Sequence, residues 1–227
     1  MSHVYVNEEV QGVIDLHADL FTSEFRDLSI REQLDRQALR ICEAHQNGNR
    51  AAAIHVTCWH PELVGCSADD IMKRELTLHD ARETIAREYG FNDWADAETR
   101  GDNPPDATYE SAVDAVLSGN VDSLQALLSA HPQLTRQHSD YGHAATLLHY
   151  CGSNGVETWR QVVPRNLPDI VRVLLSNGAD VNASARMYGG DCAPLGLVIT
   201  SAFPAEAGVV DDVVQIMVDA GAATDDS

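Results

Sequence analysis

Apolar positions recur along this chain at helical spacing, not in alternation. In "DIVRVLLSNGADVNA" (169–183), Ile170, Val171, Leu174 and Leu175 share one face, which predicts an amphipathic helix. "DVVQIMVDAGA" (212–222) repeats the pattern. Gly178 and Gly221 stand where each helix stops and a left-handed residue is needed. Upstream lie the partner segments "TLLHYCGSNG" and "APLGLVITSA". Thr146 is placed to cap the first and Pro194 to occupy the first turn of the second. Val10, Ile14, Phe21, Phe25 and Leu28 predict a single amphipathic helix over 7–28. Leu78, Ala81, Ile85 and Ala86 predict another, ended by Gly90, with Phe91 and Trp94 opening a short successor. "RGDNPPDAT" (100–108) reads as a linker, because Pro104 and Pro105 cannot continue a helix. The expected product is all-α, with no sheet beyond short finger hairpins.

The two helix pairs resemble the ankyrin repeat, whose phrase is a Thr-Pro-Leu-His start, a Gly turn, an Ile-Val-Leu-Leu helix and a Gly-Ala-Asp finger. Residues 146–183 and 193–222 carry it, with Leu147 in place of the usual Pro and Gly196 in place of the His. "LSGNVDSLQALLSAHPQL" (117–134) is a weaker copy, and "NGNRAAAIHVTCWHPEL" (47–63) echoes it at the same internal spacing. Residues 76–98 are similar to a leader of some bacterial ankyrin-repeat proteins. The resemblance implies an ankyrin-repeat solenoid with short finger turns or hairpins, preceded by an N-terminal helical region. That region spans 1–100 and contains a degenerate hairpin at about 34–63. The repeats then occupy about 109–140, 141–183 and 184–222 within 107–227. The resemblance also implies that His149 hydrogen-bonds the neighbouring finger backbone, a structural role.

The repeat is interrupted. His149 to Ile170 spans 21 positions, against about ten in a plain repeat. Gly196 to Val213 spans 17. The insertions, near 156–166 and 202–209, emerge at one edge, so they are expected to fold against each other. The larger one carries Glu157, Trp159, Arg160, Gln161, Arg165 and Asn166. Trp and Arg anchor interfaces through large buried area and directed hydrogen bonds. Trp159 is therefore expected to be substantially buried, with Arg160 and Arg165 pointing into the seam. Two readings stand: the insertions plug this end of the stack, or they form a binding edge.

The function expected is a binding module that engages a protein partner through its concave face or its inserted loops. The rival is a small-molecule site, or an enzyme pocket, at the inserted loops of the last two repeats. Tyr150, Glu157, Trp159, Arg160, Gln161, Arg165, Asn166 and Tyr188 are the candidate binding residues. The sequence assigns no catalytic residue, and no cofactor is expected.

Charge and chemistry narrow this further. A formal charge of −20 repels phosphate backbones, so a nucleic-acid partner is not expected. Lys73 is the only lysine, which points to genomic bias as a source of the acidity. No apolar run is long enough to span a membrane, and no secretory signal pattern opens the chain. Five cysteines without tight pairs point to a reducing, cytoplasmic setting. Asp15, His17 and Asp19 are similar to an Asp-x-His-x-Asp metal signature, but a helix separates Asp15 and His17 by about 200°. His55, Cys58, His60 and Cys66 are zinc-type side chains, yet the echo places His55 and Cys58 in a helix, with Cys58 as a small core residue. No metal site is expected.

Overall fold

The computed structural model describes residues 4–224. These form fourteen α-helices and two two-stranded sheets. The chain divides into two compact units. One is Glu8–Pro105, and the other joins Met1–Asn7 to Asp106–Ser227.

The Glu8–Pro105 unit is a helical bundle. It contains α1 (Glu8–His17), α2 (Ser23–Arg26), α3 (Ile30–Gln46), α4 (Ala51–Trp59), α5 (Ala68–Met72), α6 (Leu78–Glu88) and α7 (Trp94–Arg100). The single helix expected over 7–28 is broken after His17. Leu20 donates its N–H back to the His17 carbonyl, and Thr22 caps α2 by accepting from the Phe25 N–H. The apolar spacing runs through the break because Phe21 still packs on both His17 and Phe25, with ring centroids 5.8 and 5.5 Å apart. Capping boxes open α3 (Ser29 with Glu32) and α6 (Thr77 with Asp80). Leu34, Ala38 and Ile41 of α3 and Ala81 and Ile85 of α6 are fully buried where these helices pack. On α4, Ala52 and Val56 are buried, whereas Cys58 is exposed and not the core residue expected. It stands about 200° around the axis from Val56. The segment read as a linker holds the boundary between the two units, after Pro105, and its first part packs on α3, whose first N–H groups donate to Asn103 and Gly101 carbonyls.

The second unit contains α8 (Ala107–Leu117), α9 (Val121–Ala130), α10 (Leu147–Tyr150), α11 (Leu167–Ser176), α12 (Pro194–Thr200), α13 (Ala202–Glu206) and α14 (Val210–Asp219). Helices α8, α10 and α12 pack side by side in that order, as do α9, α11 and α14. Leu124, Leu147, Ile170, Val171, Leu174, Val198, Val213 and Met217 form a continuous core between the two rows. Gly178 and Gly221 have φ of +89° and +92°, as expected where α11 and α14 stop. Strands β3 (Ala185–Met187) and β4 (Gly190–Cys192) form a hairpin closed by Tyr188 and Gly189, both at positive φ.

The other sheet is not a finger hairpin, which corrects the expectation that strands would be confined to fingers. Strand β1 (Val4–Tyr5) pairs antiparallel with β2 (Val163–Pro164) inside the larger insertion. Strands of two residues carry no alternation to read, and Pro164 is tolerated because β2 has a partner on one side only.

Candidate functional site

The larger insertion folds inward. Thr158–Arg160 form one 3-10 turn, in which the Arg160 N–H donates to the Glu157 carbonyl at 2.8 Å. Residues three apart eclipse in such a turn, so Glu157 and Arg160 point the same way and Trp159 points elsewhere. Arg160 is 2% exposed and Glu157 is fully buried, while Trp159 is only half-buried. Trp159 keeps part of its surface in solvent, and the fully enclosed side chains of the turn are Glu157 and Arg160. Arg165, expected in the seam, is exposed.

Around Arg160 the side chains form a closed ionic cluster. Nη1 donates to Glu157 Oε1 at 3.0 Å, and Nη2 donates to a Glu110 carboxylate oxygen on α8. The guanidinium lies 4.4 Å from the Trp159 ring centroid, and about 5.9 and 5.8 Å from those of Tyr141 and Tyr150. His143 Nδ1 accepts from the Ala145 N–H at 3.0 Å, which places the ring proton on Nε2, 3.7 Å from Glu157 Oε1. Among the described residues, Glu157 Oε2, Arg160 Nε, His143 Nε2 and Tyr150 Oη have no hydrogen-bond partner.

Two carboxylates and one guanidinium leave an excess negative charge in a buried place. Burial raises the Glu110 pKa above the usual carboxylate range, although Arg160 opposes it. Burial also acts to raise Glu157, but Arg160 and His143 outweigh it and hold this carboxyl low. Of the two carboxylates, Glu110 is thus the one that takes up a proton first. Burial, reinforced by Glu157, pushes the Tyr150 hydroxyl well above its ordinary value.

The other candidate residues brace the loop. Gln161 Nε2 donates to the Val156 carbonyl at 2.7 Å, and Asn166 Nδ2 donates to the Gly119 carbonyl at 2.9 Å. Tyr188, exposed at the tip of the hairpin, donates its hydroxyl to Asn154 Oδ1. The bases of the two insertions meet where Ser201 Oγ donates to the Ser153 carbonyl and Asn154 Nδ2 to Thr200 Oγ1. Tyr5 joins them farther out, pairing with Val163 through β1 and donating its hydroxyl to Glu206. Of the eight candidates, the structure brings Tyr150, Glu157, Trp159 and Arg160 together. Sequence reasoning missed Glu110, Tyr141 and His143, which complete the cluster. Glu110 did leave a signal: it stands three residues before Val113 on an otherwise apolar face of α8.

No family model matches this chain, and no curated protein or solved structure matches it.

An open groove runs between the 135–138 and 178–184 segments of the same unit. It encloses about 730 Å³ and is lined by Arg136, His138, Asp180, Asn182 and Ser184, with the backbone turns at Gly178 and Gly221. Side chain–backbone bonds fix its walls. Arg136 Nε donates to the Gly178 carbonyl at 3.3 Å, and Asn182 bridges to Gly221 O and the Ala223 N–H at 3.0 and 2.8 Å. His138 Nδ1 donates to the Ala144 carbonyl at 2.6 Å. His149, fully buried beneath, accepts the Thr146 N–H at Nδ1 and donates from Nε2 to the Cys192 carbonyl at 3.1 Å. His149 is thus bonded to the backbone of the β3–β4 hairpin. The bond accepted at Nδ1 needs the neutral ring, and burial lowers its pKa to about 4.

In the Glu8–Pro105 unit, the metal-type side chains have other partners. His17 Nε2 lies 3.1 Å from His55 Nε2, and His55 Nδ1 donates to Glu88 Oε2 at 2.7 Å, all three residues being buried. Asp15 accepts from Gln11, Asp19 binds Arg40 through both oxygens, and His60 faces Asp80. Among the described residues, no three His, Cys, Asp or Glu converge as a metal set, and no helix is long and apolar enough to cross a membrane.

Proposed function

We propose that residues 106–224 form an ankyrin-type binding module that engages a protein partner through the finger groove. The observation that carries this reading is the contrast between the two faces. The insertion directs its charged side chains inward, onto Glu110 and each other, whereas the groove presents exposed Arg136, His138, Asp180, Asn182 and Ser184 on a braced backbone. Fixed, exposed polar groups on a rigid scaffold suit recognition of another chain, because little ordering is needed on binding. Three ordered helix pairs, the hairpin between the second and third, and the His149 bond to Cys192 support the ankyrin comparison.

Affinity capture with the full chain, followed by cross-link mapping, tests the proposal. Cross-links should fall on 135–138 and 178–184. The double change Arg136→Glu and Asp180→Arg should abolish capture while the melt falls only slightly, since both residues are exposed and one bond, from Arg136 to the Gly178 carbonyl, is lost. A partner lost on Arg165→Ala or Tyr188→Ala, yet retained by the groove variant, would place recognition at the insertions instead.

A further inference from the structure

We propose that the outer side of the last helix pair, α12 with α14, docks an amphipathic helix whose apolar stripe is flanked by Lys or Arg. This surface is separate from the finger groove. The inference comes from comparing equivalent positions in consecutive helix pairs. "DIVRVLL" (169–175) aligns with "DVVQIMV" (212–218), so Leu167, Val171 and Leu175 correspond to Val210, Val214 and Val218. Leu167 and Val171 are buried and Leu175 is half-buried, whereas Val210 and Val214 are half-buried and Val218 is 38% exposed.

The first helices say the same. Aligning "TLLHYCGS" (146–153) with "APLGLVIT" (193–200) pairs Gly152 with Ile199. Position 152 faces the following helix, since a Cβ there would lie 2.6 Å from Leu197 Cβ. Ile199 faces the same way one pair later and is 59% exposed. The side that each earlier pair buries under its successor is therefore apolar again in the last pair and uncovered.

The partner's chemistry follows from the stripe and its rim. Val210, Val214 and Val218 advance by about 40° each, forming a narrow row along α14. Beside that row run Asp211, Gln215 and Asp219, all exposed, with Gln215 Nε2 donating to Asp219. A second copy of this chain would set one acidic row against another, each protein carrying a formal charge of −20. A helix with basic flanks satisfies both features, laying apolar residues on the valines and cations on the aspartates.

The test uses the full chain and a fluorescein-labelled amphipathic Leu/Lys peptide, with a scrambled peptide of the same composition as control, at about 150 mM salt to screen non-specific attraction. The patterned peptide should bind at least about tenfold tighter than the scramble. It should shift the methyl resonances of Ile199, Val214 and Val218. The double change Ile199→Ser and Val218→Ser should weaken it at least about tenfold with the melting temperature held. Equal binding of both peptides, or unchanged binding by the double variant, would overturn the proposal. So would a concentration-dependent dimer that the double variant abolishes, since that would make a second copy the occupant. Peptide binding that falls with Arg136→Glu but not with the double variant would also overturn it, while leaving the groove reading intact.

Discussion

Removing Arg160 tests the buried cluster most directly. The guanidinium is 2% exposed and pairs with both Glu110 and Glu157, which are themselves buried. Truncation to Ala deletes both ion pairs and strands two carboxylates. Breaking a buried pair by removing one partner costs about 3–5 kcal/mol. For a unit of this size that corresponds to a fall in Tm of roughly 10–20 °C. Thermal and urea melts should follow both circular dichroism and tryptophan fluorescence, because Trp159 covers the guanidinium and reports the cluster itself. The pH dependence has a definite sign. Glu110 has a folded pKa raised above its unfolded value, so its contribution is full below the unfolded value and lost as pH rises through the folded one. With Arg160 gone, protonation also relieves Glu157, so the Arg160→Ala defect should be larger at about pH 8 than at about pH 5. The triple change Arg160→Met, Glu110→Gln and Glu157→Gln should recover much of the loss, since a neutral cluster has no stranded charge. An Arg160→Ala protein that melts within about 2 °C of the parent, with the same urea midpoint, would refute the reasoning. Insensitivity of the defect to pH would refute the charge argument alone.

Other consequences are simpler to state. His149, lowered to about 4 from 6.5 by burial, binds its proton more weakly folded than unfolded. Its stabilisation, about 3 kcal/mol, is complete above 6.5 and disappears as pH falls toward 4; an NMR titration midpoint near 6.5 would contradict this. Gly152→Val should destabilise by about 1–3 kcal/mol through overpacking against Leu197, measured by urea denaturation; a neutral result would mean α10 and α12 do not approach closely. Tyr5→Phe should leave the global melt nearly unchanged but speed hydrogen exchange in β2, because the tyrosine hydroxyl joins the β1 strand to Glu206; unchanged exchange would show that this bond does not anchor β1.

What could be read from the sequence depended on whether the signal was local. Helix α11 was legible because its apolar positions and its terminating Gly178 lie within one short stretch of sequence. His149 was legible because Thr146, its capping partner, is three residues away. The break after His17 was not, since apolar spacing continues through it and the Thr22 cap outweighs that spacing. The cluster was legible only in part. Residue type singled out Trp159, but complete burial was decided by the phase of a single turn, which pointed residues 157 and 160 inward together. Glu110 lies 50 positions before Arg160, and β1 lies far from β2 in sequence, so their meeting depends on packing that no local pattern encodes.

That packing also accounts for the course of the chain between α10 and α11. Helix α10 has only four residues, Leu147–Tyr150, and the chain leaves it through Ser153 at φ +47°, an unfavourable conformation for a residue with a side chain. Such a short helix cannot by itself cover the core beside α8 and α12. Hydrogen bonds hold the exit: Ser153 Oγ donates to the Val162 carbonyl, and the Ser153 carbonyl accepts from Ser201. The insertion then returns Val156 and Val163, both fully buried, to the space that further helical turns would have filled. Beside them the tight turn brings in Glu157 and Arg160, which reach polar partners on α8 and in the 141–143 segment. A longer α10 would bury apolar area without those specific contacts. The short helix exchanges regularity for an ionic contact that only the right register satisfies, since displacing residue 160 strands Glu110 and Glu157 at once.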